Sequence, residues 1–92
     1  MSVIDTASSA VIDTLSGFNR PEGIAITPDG ALACITTDQP GTLVIPDLFT
    51  FEVLARVPVG LNPERVAITP DGFLAYVTNR GSGTVSVVQI VP

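Results

Sequence analysis

Short apolar runs separated by proline- and glycine-containing turns follow one another along the chain. VAIT (66–69) and LAYVT (74–78) are rich in β-branched and aromatic residues, and the tripeptide PDG (70–72) stands between them. Proline presets φ for a turn, aspartate hydrogen-bonds to nearby backbone, and glycine accepts the left-handed conformation. The pattern therefore predicts a β-hairpin. NRGSG (79–83) predicts a second turn, which leads into a third strand at 84–88.

The run FEVLARV (51–57) alternates more clearly than the others. Glu52, Leu54 and Arg56 fall on one face, and the apolar residues at 51, 53, 55 and 57 fall on the other. This alternation is typical of a strand that partly faces water. The runs at 24–26 and 66–68 are instead apolar on both faces, which predicts strands that are covered on both sides.

The chain also contains an internal repeat. PEGIAITPDG (21–30) recurs 42 residues later as PERVAITPDG (63–72), and this period lies in the range of four-stranded propeller blades. A small sheet that is covered on both faces and repeated at this period predicts blades that stack on neighbouring blades. A sandwich is the weaker alternative, because its strands are normally apolar on one face only.

The predicted fold is therefore all-β, with four-stranded antiparallel β-propeller blades in a partial propeller or in a ring completed by other chains. One module, 1–92, would hold the third and fourth strands of one blade (1–16), a complete blade (21–58) and the first three strands of the next (63–91). Residues 1–6 and 85–90 both match the third-strand position, so they would compete for one place where two chains complete a blade. We expect 85–90 to take it, because a short glycine turn joins it to its own second strand.

Two differences between the copies change local expectations. Cys34, the single cysteine, stands within an apolar strand where the other copy has Tyr76. We expect it to be a buried small hydrophobic residue, with a reactive thiol as the alternative. Pro46 stands where the other copy has Val88. Because proline donates no hydrogen bond to a β-ladder, it should end or bulge the third strand.

Composition narrows the functional classes. The net charge is −5 and four arginines are the only basic residues, so the chain lacks the basic surface that attracts nucleic acid. No apolar run is long enough to span a bilayer, and the start of the chain lacks a signal-peptide pattern, which leaves the localisation open. The absence of histidine removes the commonest general base and the usual zinc or copper ligand. We therefore expect no catalytic residue, cofactor or bound metal.

Several motifs resemble the YVTN family of β-propeller repeats, and together they span nearly the whole chain. They are AYVTN (75–79), GSGTVSV (81–87), TPDG (69–72) and SVIDT (2–6), whereas the middle copy departs from the family with CITT (34–37). The resemblance implies secreted, periplasmic or surface-layer proteins that act as structural or binding modules. Related propellers include lactone hydrolases and quinone- or copper-dependent enzymes. WD40 repeats are disfavoured, because the chain has no tryptophan and no Gly-His pair.

Four charged residues are the candidate binding residues: Glu22, Glu64, Arg65 and Arg80. Each glutamate follows a proline just before a predicted first strand. In a closed ring they would recur near one mouth of the channel, where a ring of carboxylates could bind Ca²⁺ or a cationic ligand. Solvated loop residues are the simpler interpretation. The two arginines have no counterpart in the other copy, and such asymmetry on loops arises from a binding function or from neutral surface variation.

Other polar and aromatic residues have structural interpretations. Asp29 and Asp71 are expected to serve the turns, and Phe73 and Tyr76 to pack between blades. The predicted function is a non-catalytic structural or binding module that interacts with a protein or small-molecule ligand on assembly with other blades. Those blades would come from further copies of the chain or from the rest of a longer one. The alternative is a fragment of a propeller enzyme, lactonase-like or redox-active, whose catalytic residues lie in blades absent here.

Overall fold

A computed structural model of the chain describes residues 2–5, 10–14, 18, 20–38 and 40–90, the first two of these segments as backbone. Within these residues the chain forms nine strands and no helix, so no described helix could cross a membrane. Every strand pair is antiparallel and joins strands that are consecutive in sequence. The predicted all-β class is therefore confirmed. The predicted limits at residues 1, 6, 16 and 91 lie outside the described residues.

The strands form three sheets that follow one another along the chain. The first contains β1 (Ser2–Asp5) and β2 (Ala10–Thr14). The second contains β3 (Pro21–Ile26), β4 (Ala33–Thr37), β5 (Thr42–Pro46) and β6 (Val53–Pro58) in that spatial order. The third contains β7 (Pro63–Ile68), β8 (Leu74–Asn79) and β9 (Thr84–Gln89).

The turns between first and second strands are built alike in both copies. In the later copy, the Thr69 hydroxyl donates to Asp71 Oδ1 at 2.5 Å and accepts from Leu74 N at 3.1 Å, while Asp71 Oδ1 also accepts from Phe73 N. The earlier copy repeats these bonds with Thr27 and Asp29. Gly30 and Gly72 close the two turns at φ of 75° and 80°, the left-handed region that glycine enters without strain. Local hydrogen bonding thus accounts for both aspartates.

A proline and a threonine shape the strands further. Pro46 is the last residue of β5, and the register with β6 shifts between Ile45 and Pro46, so the prediction for this proline is confirmed. A second irregularity near the start of β3 lets Gly23 N donate to Thr36 Oγ1 at 2.8 Å. The equivalent bond at the start of β7 runs from Arg65 N to a threonine of β8. Bulges of this kind redirect the neighbouring side chains.

The hydrophobic core lies between the second and third sheets. One face of β3–β6 packs on one face of β7–β9, with β3 and β4 against β7. The core residues are Cys34, Leu43, Ile45, Ala75, Val77, Val88 and Ile90. As predicted, Cys34 is buried. This packing holds the start of β3 beside the start of β7, where the candidate charged residues lie.

The predicted coverage of both sides of the inner strands is not found within this chain. Ile24 and Ile26 of β3 are 51% and 56% exposed. Phe73 and Tyr76 are also exposed, so the expected packing of these rings between blades is not made within the chain. The alternation predicted for β6 is found from Leu54 to Val57, since Leu54 and Arg56 are exposed while Ala55 and Val57 are half-buried, but Val53 of the predicted apolar face is exposed.

Candidate functional site

The two faces of each sheet can be defined by equivalent residues of the repeat. We call the face of β3–β6 that carries Gly23, Cys34, Leu43 and Ile45 its front face. The equivalent front face of β7–β9 carries Arg65, Tyr76, Val85 and Val87. The opposite, back face carries Ile24, Ile26, Ala33 and Ile35 in the second sheet, and Val66, Ile68, Ala75 and Val77 in the third. Within the chain, the front face of β3–β6 packs on the back face of β7–β9.

The front face of β7–β9 is uncovered. Cys34 and Leu43 are fully buried on the second sheet, whereas their equivalents Tyr76 and Val85 are 42% and 57% exposed on the third. Val87 is likewise 57% exposed. Clusters of exposed apolar residues of this kind mark interaction sites on soluble proteins. The third sheet therefore presents to solvent the same surface that the second sheet buries.

The candidate glutamates lie inside the first strands and not before them. The prediction was wrong on this point, because β3 begins at Pro21 and β7 at Pro63, which makes Glu22 and Glu64 second residues of their strands. Proline is tolerated as the first residue of a strand, where its missing N–H leaves no gap in the ladder. Both glutamates lie within the irregular starts of β3 and β7, which pair with the ends of β4 and β8, so they are at the end of the sheets where the turns after β4 and β8 also lie.

Two ion pairs lie at this end of the sheets. Arg80 Nη1 is 3.2 Å from Glu64 Oε1, and Arg20 Nη1 is 3.8 Å from Asp38 Oδ2. Both pairs border a cavity of about 190 Å³, which Glu22 also lines. The structure thus brings three of the four predicted residues, Glu22, Glu64 and Arg80, to one cavity.

Arg20 and Asp38 were missed as members of this cluster. Asp38 occupies the repeat position of Arg80, and Arg20 that of Asn62. Arg20 and Asn62 share a positive φ, 51° and 49°, so the same turn places both. The sequence signal for this cluster was the opposite charge of Asp38 and Arg80 at equivalent positions of the repeat. Each of these residues pairs with a residue of the opposite charge, Arg20 and Glu64 respectively.

The fourth candidate, Arg65, lies beside this cluster on the front face of the third sheet. It borders an open groove of about 780 Å³ along the first strands, together with Glu22, Ile24, Glu64 and Tyr76. Arg65 and Glu22 are exposed, and among the described residues neither is within ion-pair distance of an opposite charge. These two charges are therefore available to a partner.

The charged cluster pairs two of its carboxylates with arginine side chains. In the described part of the chain no three histidine, cysteine, aspartate or glutamate side chains meet to hold a metal ion. The Glu64 carboxylate faces a guanidinium, which offsets the negative charge that a cation would need. Burial raises the pKa of the Cys34 thiol to about 11, so this group remains a thiol at neutral pH.

The turn carboxylates are likewise committed to local bonds. The Thr27 hydroxyl and the Ala31 N–H hold the pKa of Asp29 below its ordinary value. The Thr69 hydroxyl and the Phe73 N–H do the same for the pKa of Asp71. Both side chains are ionised turn residues and have no role in the charged cluster.

Solved structures share this arrangement of sheets. The chain is similar to Kuenenia stuttgartiensis hydrazine synthase, with 35% sequence identity and a TM-score of 0.76 over 84% of this chain and 22% of that one. It is also similar to a functionally unknown protein from Desulfotomaculum acetoxidans DSM 771, with 21% identity and a TM-score of 0.76 over 88% of this chain and 26% of that one. The chain thus spans only about a quarter of the length of either structure. No protein-family model matches the chain, and a search of curated proteins gives no significant match.

Proposed function

We propose that the chain is a non-catalytic module of YVTN-like β-propeller blades that functions by binding other proteins through the faces of its sheets, on assembly into a ring of blades. One observation carries the proposal. The residues that are buried on the front face of β3–β6 have equivalents on β7–β9 that are apolar and exposed. A surface whose counterpart in the same chain is a packed interface is suited to pack in the same way.

The energetics of this face support a binding role. Tyr76, Val85 and Val87 are each about half exposed, so covering them would contribute about 1 kcal/mol apiece. Arg65 and Thr78 lie on the same face at its β7 side and are exposed. An apolar centre with a polar rim is the usual composition of a protein interface.

A second candidate function rests on the comparison with hydrazine synthase. Identity of 35% over most of this chain favours a segment of a larger propeller enzyme whose reactive groups lie in other blades. The two candidates differ in the sequence that flanks this segment in its gene. Further 42-residue units that contain histidines would favour the enzyme, whereas an isolated short reading frame would favour the binding module.

The mass of the chain in solution tests the binding function. We expect the wild-type chain to form a multimer by light scattering. A Val85→Glu/Val87→Glu variant should have the mass of a single chain and retain its β-sheet circular dichroism, because two charges on the front face oppose burial. Phe49→Glu is the control, since Phe49 is 79% exposed in the turn between β5 and β6 of the second sheet. A wild-type chain of single-chain mass that melts cooperatively would refute the proposal.

A further inference from the structure

The packing inside the chain shows how two equivalent sheets fit together. The front face of β3–β6 contacts the back face of β7–β9, where Val66 and Ile68 of β7 pack against the core. Two exposed surfaces on this chain are the equivalents of these two faces. One is the front face of β7–β9, with Tyr76, Val85 and Val87, and the other is the part of the back face around Ile24 and Ile26.

The two exposed surfaces are complementary in type and position. Ile24 and Ile26 are equivalents of Val66 and Ile68, and they are 51% and 56% exposed. Ala33 and Ile35 on the same face of β4 are buried, so the exposed apolar residues of the back face are those of the first strand and, on the outermost strand, Leu54. The first strand of one chain's front face would therefore meet β3 of the next chain, as β3 meets β7 within the chain.

We propose that the partner of the front face of β7–β9 is a second copy of this chain, docked head to tail through its back face, with Arg65 of one copy facing Glu22 of the next. This inference rests on the binding function proposed above and names its partner. The contact is heterologous, because one surface of each chain meets a different surface of its neighbour. Such a contact propagates from chain to chain and closes into a ring when the rotation allows.

Charge places these two residues opposite each other. Inside the chain, Gly23 of the front face lies against the backbone of Glu64 and Arg65. At the contact between two copies, Arg65 takes the place that Gly23 has within the chain, because the two positions are equivalent in the repeat. Glu22 of the neighbouring copy takes the place of Glu64 for the same reason. The guanidinium and the carboxylate are both exposed and are not ion-paired among the described residues. Opposite charges across an interface fix its register and favour the correct partner.

The proposed interface between copies differs at the first strand from the contact between β3 and β7 within the chain. A Cβ atom at Gly23 would stand 2.5 Å from the Glu64 carbonyl oxygen, which is too close for any side chain. Because Arg65 has a Cβ, the first strands of neighbouring copies must lie further apart than β3 and β7 do. The longer arginine side chain spans this wider gap and reaches the glutamate carboxylate.

Charge reversal tests the proposed pair in the full chain. Arg65→Glu and Glu22→Arg should each place like charges at the joint and raise the chain concentration at half-assembly by at least about threefold, measured by sedimentation velocity at low salt. The double variant should return to within about twofold of wild type. Glu52→Arg is the control and should leave the assembly unchanged, because Glu52 is exposed in the turn before β6, at the end of the sheet opposite Glu22.

Mixing the two single variants distinguishes a contact between chains from one within a chain. In the mixture, the altered residue of one variant faces the altered residue of the other, so assembly should exceed that of either variant alone. Recovery in the double variant without recovery in the mixture would place the pair inside one chain and overturn the inference. Wild-type assembly that neither single variant weakens would also overturn it, and would leave the proposed binding function standing. A wild-type chain that never assembles would refute both proposals.

Discussion

Replacing Gly23 with alanine should separate β3 from β7. The added Cβ would meet the Glu64 carbonyl oxygen at 2.5 Å and the Thr36 hydroxyl at 3.2 Å. The carbonyl belongs to the backbone and cannot rotate away as a side chain could. Since ordinary contact begins at 3.4 Å, the two strands must separate by about 0.9 Å at this point.

Three terms set the magnitude of this effect. Overpacking a well-packed interior costs about 1–3 kcal/mol. The hydrogen bond from Gly23 N to Thr36 Oγ1, 2.8 Å long, would also be strained, and a bond of this kind contributes about 0.5–1.5 kcal/mol. Alanine restricts the unfolded chain, which offsets about 0.4–1 kcal/mol. We therefore expect the free energy of unfolding to fall by about 0.5–4 kcal/mol.

Urea unfolding followed by circular dichroism measures this change at a fixed chain concentration. Gly30→Ala is the control, because a Cβ there meets nothing within 4 Å and only the φ of 75° is unfavourable. Hydrogen exchange separates the two effects. Amides of β7 should exchange faster in Gly23→Ala and not in Gly30→Ala. A Gly23→Ala chain as stable as wild type, with unchanged exchange in β7, would show that the sheets do not approach as described.

Three further predictions concern titration and assembly. Burial raises the pKa of Cys34 from 9.0 to about 11, so the unfolded chain loses the thiol proton at a lower pH than the folded chain. The free energy of unfolding should therefore fall between about pH 9 and about pH 11. Cys34→Ala should remove that part of the decline. The Asp71 pKa is lowered chiefly by the Thr69 hydroxyl, so stability from this turn should decline as pH falls through the folded-state pKa. Thr69→Val should raise the Asp71 pKa measured by NMR and leave that of Asp29 unchanged. Deleting residues 1–6 should preserve assembly and deleting residues 85–92 should weaken it, because we expect 85–90 to be the third strand of the blade that two chains complete together. The opposite result in light scattering would mean that β1 is that third strand.

The strands and turns were predictable because the interactions that determine them are local. The 42-residue repeat aligns β3 with β7 and β4 with β8. The turn at Asp71 is closed by bonds to residues no more than a few positions away, so its sequence carries nearly all the information. The place of Pro46 followed from a missing N–H, which is a property of the residue itself.

The exposure of Ile24 and Tyr76 was not predictable. Their apolar side chains indicate that they are suited to burial, but the sequence does not show which element covers them. The position of Glu22 inside β3 depends on a bulge that Gly23 and Thr36 form together, and no short motif specifies it. The ion pair between Arg80 and Glu64 joins the start of β7 to the end of β8, which are far apart in sequence but adjacent in the hairpin. It could have been found by pairing β7 with β8 residue by residue from the predicted turn.

The self-contained Thr-Pro-Asp-Gly turns have a consequence for the order of folding events. Each turn is closed by bonds within its own hairpin, and closing a short loop costs little chain entropy. Hairpins of this kind form in microseconds. The docking of one sheet on the next follows, because it needs contacts between residues far apart in sequence. Refolding would therefore begin with fast steps whose rates are independent of chain concentration. The front face of β7–β9 would be covered afterwards, in a bimolecular step whose rate rises with chain concentration.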